Sequence, residues 1–178
     1  MAQTNVVVAV GDKAPRADSG SSRQYLAFTL NGEVFAIDIL QIREIIEFGA
    51  LTEVPMMPPT IRGVINLRGS VVPVIDLSAR FGRGPSAVAR RTCVVILEVS
   101  KDGVTQTLGV MVDAVNEVME IPAEDIEPAP AFGTRIRTDF IAGMGRVNGR
   151  FVIILDVAHV FSLDELASLG QLAGSAVA

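Results

Sequence analysis

One histidine, His159, and one cysteine, Cys93, set the limits of any nucleophilic or metal chemistry in this sequence of 178 residues. A Ser-His-Asp or Cys-His device needs a base within hydrogen-bond reach of its nucleophile, oriented in turn by a third polar group. His159 lies in DVAHVF among apolar neighbours, which reads as a histidine packed at the start of a helix. Cys93, in RTCVVIL, falls in a strand pattern with no histidine nearby, the setting of a buried, unreactive thiol. With these two residues alone there is neither a ligand set for structural zinc nor an internal disulfide. The carboxylates Glu120, Glu124, Asp125 and Glu127 gather in EIPAEDIEPAPAF, but without the alternating Asp/Asn spacing and fixed glycine of a calcium loop they read as a solvated loop. RGSVV and GRGPS contain glycine, yet no Lys-Ser/Thr pair opens a helix behind them, so nothing marks a phosphate site. The expectation is a protein without catalytic residues, metal or cofactor.

One cation stands out. Arg68 sits in the middle of GVINLRGSVVPVIDL, residues 63–77, an apolar and largely β-branched stretch, beside Asn66 and Gly69. The elements that position it are β-strands. QYLAFTL and EVFAIDI alternate on either side of Asn31-Gly32, a pair that tolerates the positive φ of a tight hairpin turn. The same device recurs at Asp102-Gly103 and at Asn148-Gly149. Arg68-Gly69 reads as a further turn, a three-residue LRG connection in which glycine supplies the positive φ. Residues 1–22 mix Gly, Ser, Ala, Asp and Pro after a short valine run and read as a mobile tail. At the other end Ser162 and Glu165 form a capping box for one short helix over 162–170.

An internal echo organises the strands. Shifted by 80 residues, Gly63, Gly69, Val72, Asp76 and Phe81 fall on Gly143, Gly149, Val152, Asp156 and Phe161. FAIDILQIREII also aligns with LGVMVDAVNEVM, which places Glu44 against Glu117. Two such matches in the same order predict a mainly β fold of two related units, over 23–85 and 90–160. Closing each into a small barrel removes the sheet edges that so apolar a chain would otherwise expose.

Composition excludes several functions. The formal net charge of −5 opposes phosphate-backbone binding, and aromatic residues at 5% are too few to stack bases, so nucleic acid is not an expected partner. Mean hydropathy is +0.44, but Gly, Pro or a charge cuts every apolar run before the roughly 18 residues of a membrane span, and the N-terminus lacks the pattern of a secretory signal. All but two of the 15 basic residues are arginine, the cation suited to bidentate contacts at protein interfaces. An array of apolar strands carrying a few arginines and glutamates reads as a binding module, and the arginines point toward protein partners.

Taken in order, FAIDILQIREII, IRGVINLRGSVVPVIDL, LGVMVDAVNEVMEI and FIAGMGRVNGRFVIILDV strongly resemble the CheW family of chemotaxis coupling proteins over about residues 23–170, most specifically from Arg62 to Leu77. The resemblance implies two five-stranded β-barrels and a cytoplasmic adaptor, recruited to membrane-associated receptor arrays without inserting into the membrane. By the same resemblance, such an adaptor is expected to join the cytoplasmic tip of a chemoreceptor to the regulatory domain of the histidine kinase CheA. A paralogue serving twitching motility or another output is the alternative. For the receptor, the resemblance points to Glu44 and Arg68, as an ion pair at the rim of the seam between barrels, with Gly109, Val115 and Val118 from the second unit. An exposed pair adds little stability, so orientation of a binding edge is its better reason; a solvated arginine in a turn is the plain alternative. For the kinase it points to Leu26, Ile39 and Ile42, which as strand residues read equally well as core. Strand alternation, which groups Ile42, Glu44 and Ile46, favours an exposed Ile42. Gly109 reads either as a close approach of another backbone or as a bulge.

Overall fold

The computed structural model describes residues 6–8, 22–49, 51–101, 103–129 and 138–161. Its strands are β1 (Val6–Val8), β2 (Ser22–Leu30), β3 (Glu33–Asp38), β4 (Ile42–Glu47), β5 (Ile61–Leu67), β6 (Ser70–Asp76), β7 (Cys93–Lys101), β8 (Val104–Val112), β9 (Ala114–Pro122), β10 (Ile126–Glu127), β11 (Ile141–Val147) and β12 (Arg150–Leu155). Two single-turn helices, α1 (Leu77–Arg80) and α2 (Val157–Val160), follow β6 and β12. The valine run expected to belong to a mobile tail is thus a strand, β1, and the helix expected over 162–170 lies outside the described residues.

The expected hairpins are present. Asn31 and Gly32 have φ of 54° and 79°, Asn148 and Gly149 have 51° and 79°, and Gly103 has 80°. Positive φ at both central residues gives the turn a twist that matches the strands it joins.

The strands form two sheets, ordered β1-β4-β7-β8-β6-β5 and β10-β11-β12-β3-β2-β9. Each is five long strands with one short strand added at an edge, β1 or β10. The division expected at 23–85 and 90–160 does not follow the sheets. The first sheet takes β4, β5 and β6 from the first sequence unit and the hairpin β7-β8 from the second; the second sheet takes β9, β11 and β12 with the hairpin β2-β3. The two repeats have exchanged hairpins.

Connection length explains the exchange. Within a sheet, β4 runs parallel to the second strand of its neighbouring hairpin, since β4 is antiparallel to β7 and β7 to β8. If β2-β3 served its own repeat, β3 and β4 would be parallel and the chain would have to return along a whole strand. Only Ile39–Gln41, one 3-10 turn, lies between them. Three residues reach about 10 Å, whereas a parallel return needs a dozen or more. Asp113, the single residue between β8 and β9, imposes the same constraint on the second repeat.

The 80-residue echo is a structural repeat. In β5-β6, Ile61 faces Ile75 and Gly63 faces Val74 across a bulge; in β11-β12, Ile141 faces Leu155 and Gly143 faces Ile154 across another. Asp76 and Asp156 each cap the following helix, and their own N–H groups donate to Thr60 and Phe140 at 2.7 and 2.8 Å. The surroundings differ. Asp76 is fully buried and accepts from the Ser86 N–H (2.8 Å), the Ser86 hydroxyl (3.0 Å) and the Ala79 N–H (3.2 Å), with the Arg62 guanidinium at 3.5 Å. Asp156 instead meets His159, whose Nδ1 lies 2.8 Å from its carboxylate. His159 is therefore an exposed residue of α2, not a packed one.

The exchange gives the barrels a common interior. One core cluster draws Leu26, Phe28, Phe35, Ile42, Val95, Leu97, Leu108, Phe140 and Leu155 from both sheets, and Phe28, Phe35, Phe81 and Phe140 follow one another through it with ring centroids 5.5 to 6.0 Å apart. Arg80 of α1 donates to the carbonyl of Val160 in α2 at 2.7 Å, tying the repeats where they meet.

Candidate functional site

Arg68 occupies a two-residue turn, because β5 ends at Leu67 and β6 begins at Ser70; the expected LRG connection is one residue shorter. Both turn residues have positive φ, 53° at Arg68 and 90° at Gly69. Asn66 steadies the turn by accepting the Gly69 N–H at 2.8 Å. Glycine adopts this geometry freely and asparagine offsets its cost by hydrogen-bonding locally, whereas arginine bears the crowding of its Cβ against the backbone without that compensation. At the matching turn of β11-β12 the first residue is Asn148.

Glu44 projects from β4 toward this turn. Arg68 donates Nη1 to Oε2 at 2.5 Å and Nη2 to Oε1 at 2.9 Å, the parallel fork that suits a carboxylate. The pair straddles a boundary. Glu44 is only 8% exposed, while the Arg68 side chain is 65% exposed. The hydrogen bonds from Arg68 hold the Glu44 carboxyl below its usual range, against an upward push from burial. Arg43 adds a weaker pull in the same downward direction.

Beside the pair, a groove of about 670 Å³ opens between β4 and β5. Glu44 and Arg68 stand at its polar rim, and Ile46, Phe48, Leu51, Ile65, Leu67 and Val94 form its apolar lining. These same apolar residues pack on the interior of the first barrel, so the groove is the barrel's unclosed seam.

The remaining expected site residues are dispersed. Gly109 is buried in β8 beneath that interior, and a Cβ there would meet Val94 Cγ1 at 2.7 Å. Its small size admits core side chains, neither another backbone nor a bulge. Val115 and Val118 lie on β9, in the other sheet; Val115 packs on the shared core and Val118 is exposed. Leu26, Ile39 and Ile42 all lie within the shared core, so none presents a surface to a partner. For Ile42 the reason is a register shift between Ile42 and Glu44, which face Leu97 and Ile96 with Arg43 as the extra residue. The bulge breaks the two-residue alternation on which an exposed Ile42 depends. The equivalent shift in β9 falls at Asn116.

Leu40, which is not among the expected site residues, is the exposed member of this segment. It tops the 3-10 turn between buried Ile39 and Ile42 and is 79% exposed. Asp38 capping the Leu40 N–H at 2.9 Å fixes that turn, and Asp two residues ahead of an apolar residue was the available signal. Cys93 is buried, and burial raises its thiol above the ordinary value. Of the acidic loop, Glu120 accepts from the Ser22 hydroxyl at 2.8 Å and Glu127 pairs with Arg146. No helix among the described residues is long and apolar enough to cross a membrane.

Two hairpin-exchanged β-barrels, with a forked ion pair at the rim of an apolar seam, define a module for holding other proteins together. The chain belongs to the CheW-like domain family, whose model matches residues 24–165. It is 34% identical to the chemotaxis protein CheW of Klebsiella aerogenes over 153 residues, covering 86% of this chain and 90% of that one. The crystal structure of the scaffolding protein TtCheW from Thermoanaerobacter tengcongensis matches with a TM-score of 0.73 and 33% identity, over 86% of this chain and 96% of that one. Protein FrzA of Myxococcus xanthus is also similar, 30% identical over 68% of this chain and 74% of that one. The broader match is to the chemotaxis proteins, and the chain is a chemotaxis scaffold of the CheW type.

Proposed function

We propose that this protein is a non-enzymatic cytoplasmic adaptor, joining the cytoplasmic tip of a chemoreceptor to the regulatory domain of the histidine kinase CheA within receptor arrays. The observation that carries the receptor contact is the backbone of Arg68. An arginine is held in a left-handed conformation, which costs a residue with a Cβ about 1 kcal/mol or more, while the matching turn uses asparagine. With the guanidinium largely exposed, the pair offers only modest stability in exchange, so the side chain is better explained by what it binds. Glu44 aims the guanidinium, the groove offers apolar surface beside it, and exposed Val118 supplies a further contact from β9. Gly109 lies beneath the groove, and Val115 packs on the shared core. On the kinase side Leu40 is the docking residue, presented by the buried Ile39 and Ile42.

Arg68→Asn separates binding from folding, because asparagine suits the turn and removes the guanidinium. The variant is expected to melt within about 3 °C of the parent and to bind a receptor cytoplasmic fragment at least tenfold more weakly, about 1.4 kcal/mol. Unchanged affinity in isothermal titration calorimetry would refute the receptor role.

A further inference from the structure

The strand β1 takes no part in either five-stranded barrel. It pairs antiparallel with the outer edge of β4, Val6 opposite Ile46 and Val8 opposite Ile45, with an irregular register. That edge is the β4 wall of the groove, since Ile46 and Glu47 line it from β4 and Arg68 lines it from across the seam. The barrel design does not require a strand there. In the other sheet β9 holds the position equivalent to β4 and ends the strand order, with no further described strand outside it.

A bare strand edge presents unpaired N–H and C=O groups that accept an extended segment of any chain with the right side chains. Val6–Val8 is such a segment, β-branched throughout. Three residues pair weakly, but a segment of the same chain acts at an effective concentration on the order of millimolar. The strand therefore holds the edge in cis while staying replaceable. Its length and uneven register are those of a removable cover, whereas the strands of the barrels pair over five residues or more on at least one side.

We propose that the outer edge of β4 is a strand-accepting site, filled in cis by Val6–Val8, and that this strand competes with a partner entering the groove beside Glu44 and Arg68. The competition rests on the receptor reading given above; the strand site does not.

The test uses the full chain, a chain lacking residues 1–8, and a synthetic peptide of residues 1–12. In 15N-labelled protein, the amide signals of Ile45, Ile46 and Glu47 are expected to move saturably with peptide in the truncated chain, and to need about tenfold more peptide in the full chain. The truncated chain is also expected to bind the receptor fragment several-fold more tightly. So is a full chain carrying Val6→Pro and Val8→Pro, which lose their ladder N–H groups. Signals that ignore the peptide, or respond alike in both chains, overturn the strand site; so does a truncated chain that no longer folds, which would make β1 integral to the barrel. If Arg68→Asn weakens receptor binding but neither N-terminal change strengthens it, the competition is overturned and the strand site stands. If receptor affinity ignores Arg68→Asn and both N-terminal changes, the receptor reading fails, and the strand site is judged by the amide signals alone.

Discussion

Glu44 carries a titration that reports its partner directly. Its folded value lies below the unfolded one, so its share of stability is complete above the ordinary carboxylate range and is lost as pH falls through the lowered value. Arg68→Ala removes the hydrogen bonds that lower it and leaves burial, which raises it. The Glu44 midpoint, followed by NMR, is expected to move upward in that variant; a midpoint that stays low would mean that Arg68 is not its cause. Ile42 has the opposite character. An aspartate in its place would lie unpaired in the shared core, and Ile42→Asp is expected to cost about 4 kcal/mol or more. That corresponds to a drop of at least about 10 °C in circular dichroism melting, and a variant that melts like the parent would contradict its place in the core. The two residues also mark how far a sequence carries. Arg68 was legible because an apolar hairpin has little use for a lone cation, and its pairing with Glu44 followed from the family resemblance. Ile42 was misread because a one-residue bulge at Arg43 leaves no trace in composition and shifts every face assignment beyond it. Leu40 was missed because a three-residue turn is too short to show a period.

The hairpin followed by a capped helical turn is an element used twice, and its two copies are differently stressed. Asp76 satisfies two backbone N–H groups and a buried hydroxyl inside the protein, whereas Asp156 does its capping near the surface. Asp76→Ala is expected to destabilise by about 3 kcal/mol, because it strands several buried donors. Asp156→Ala is expected to cost about 1 kcal/mol, the usual loss of a helix cap. Urea unfolding of the two variants compares them, and equal costs would deny the difference in environment. Gly109→Ala tests β8 in the same way: its Cβ would press on the branched Val94 side chain, an overpacking worth about 1 to 3 kcal/mol. At this scale the sequence was informative. Turn pairs ending in glycine, alternation and the 80-residue echo located the four tight hairpins among the described residues, since each depends on residues adjacent in the chain. What it left hidden was the pairing of β1 with β4, which is nonlocal and fixed by three valines that composition alone assigns to a tail.

The described strands share one core because the two repeats have traded hairpins. Two consecutive barrels are the natural reading of two consecutive repeats, and the length of the β3-β4 link decides against it. That length was present in the sequence, but its meaning depends on β4 lying parallel to β3's counterpart, a relation no local pattern reveals. Each repeat taken alone lacks two strands of one barrel and three of the other. Fragments spanning residues 22–89 and 90–161 are therefore expected to show no cooperative melt separately, and the intact chain a single transition; a fragment that folds alone would mean the exchange is optional. Under the proposed adaptor role, such a body would hold its receptor and kinase surfaces fixed relative to one another and work by geometry. The most direct test combines purified protein, receptor cytoplasmic fragment and kinase, and follows assembly by size-exclusion chromatography alongside kinase autophosphorylation. The account predicts a ternary species and kinase activity that rises only when all three are present, with no phosphotransfer by this protein alone. Failure of the three cognate components to assemble, or full receptor control of the kinase without this protein, would contradict it.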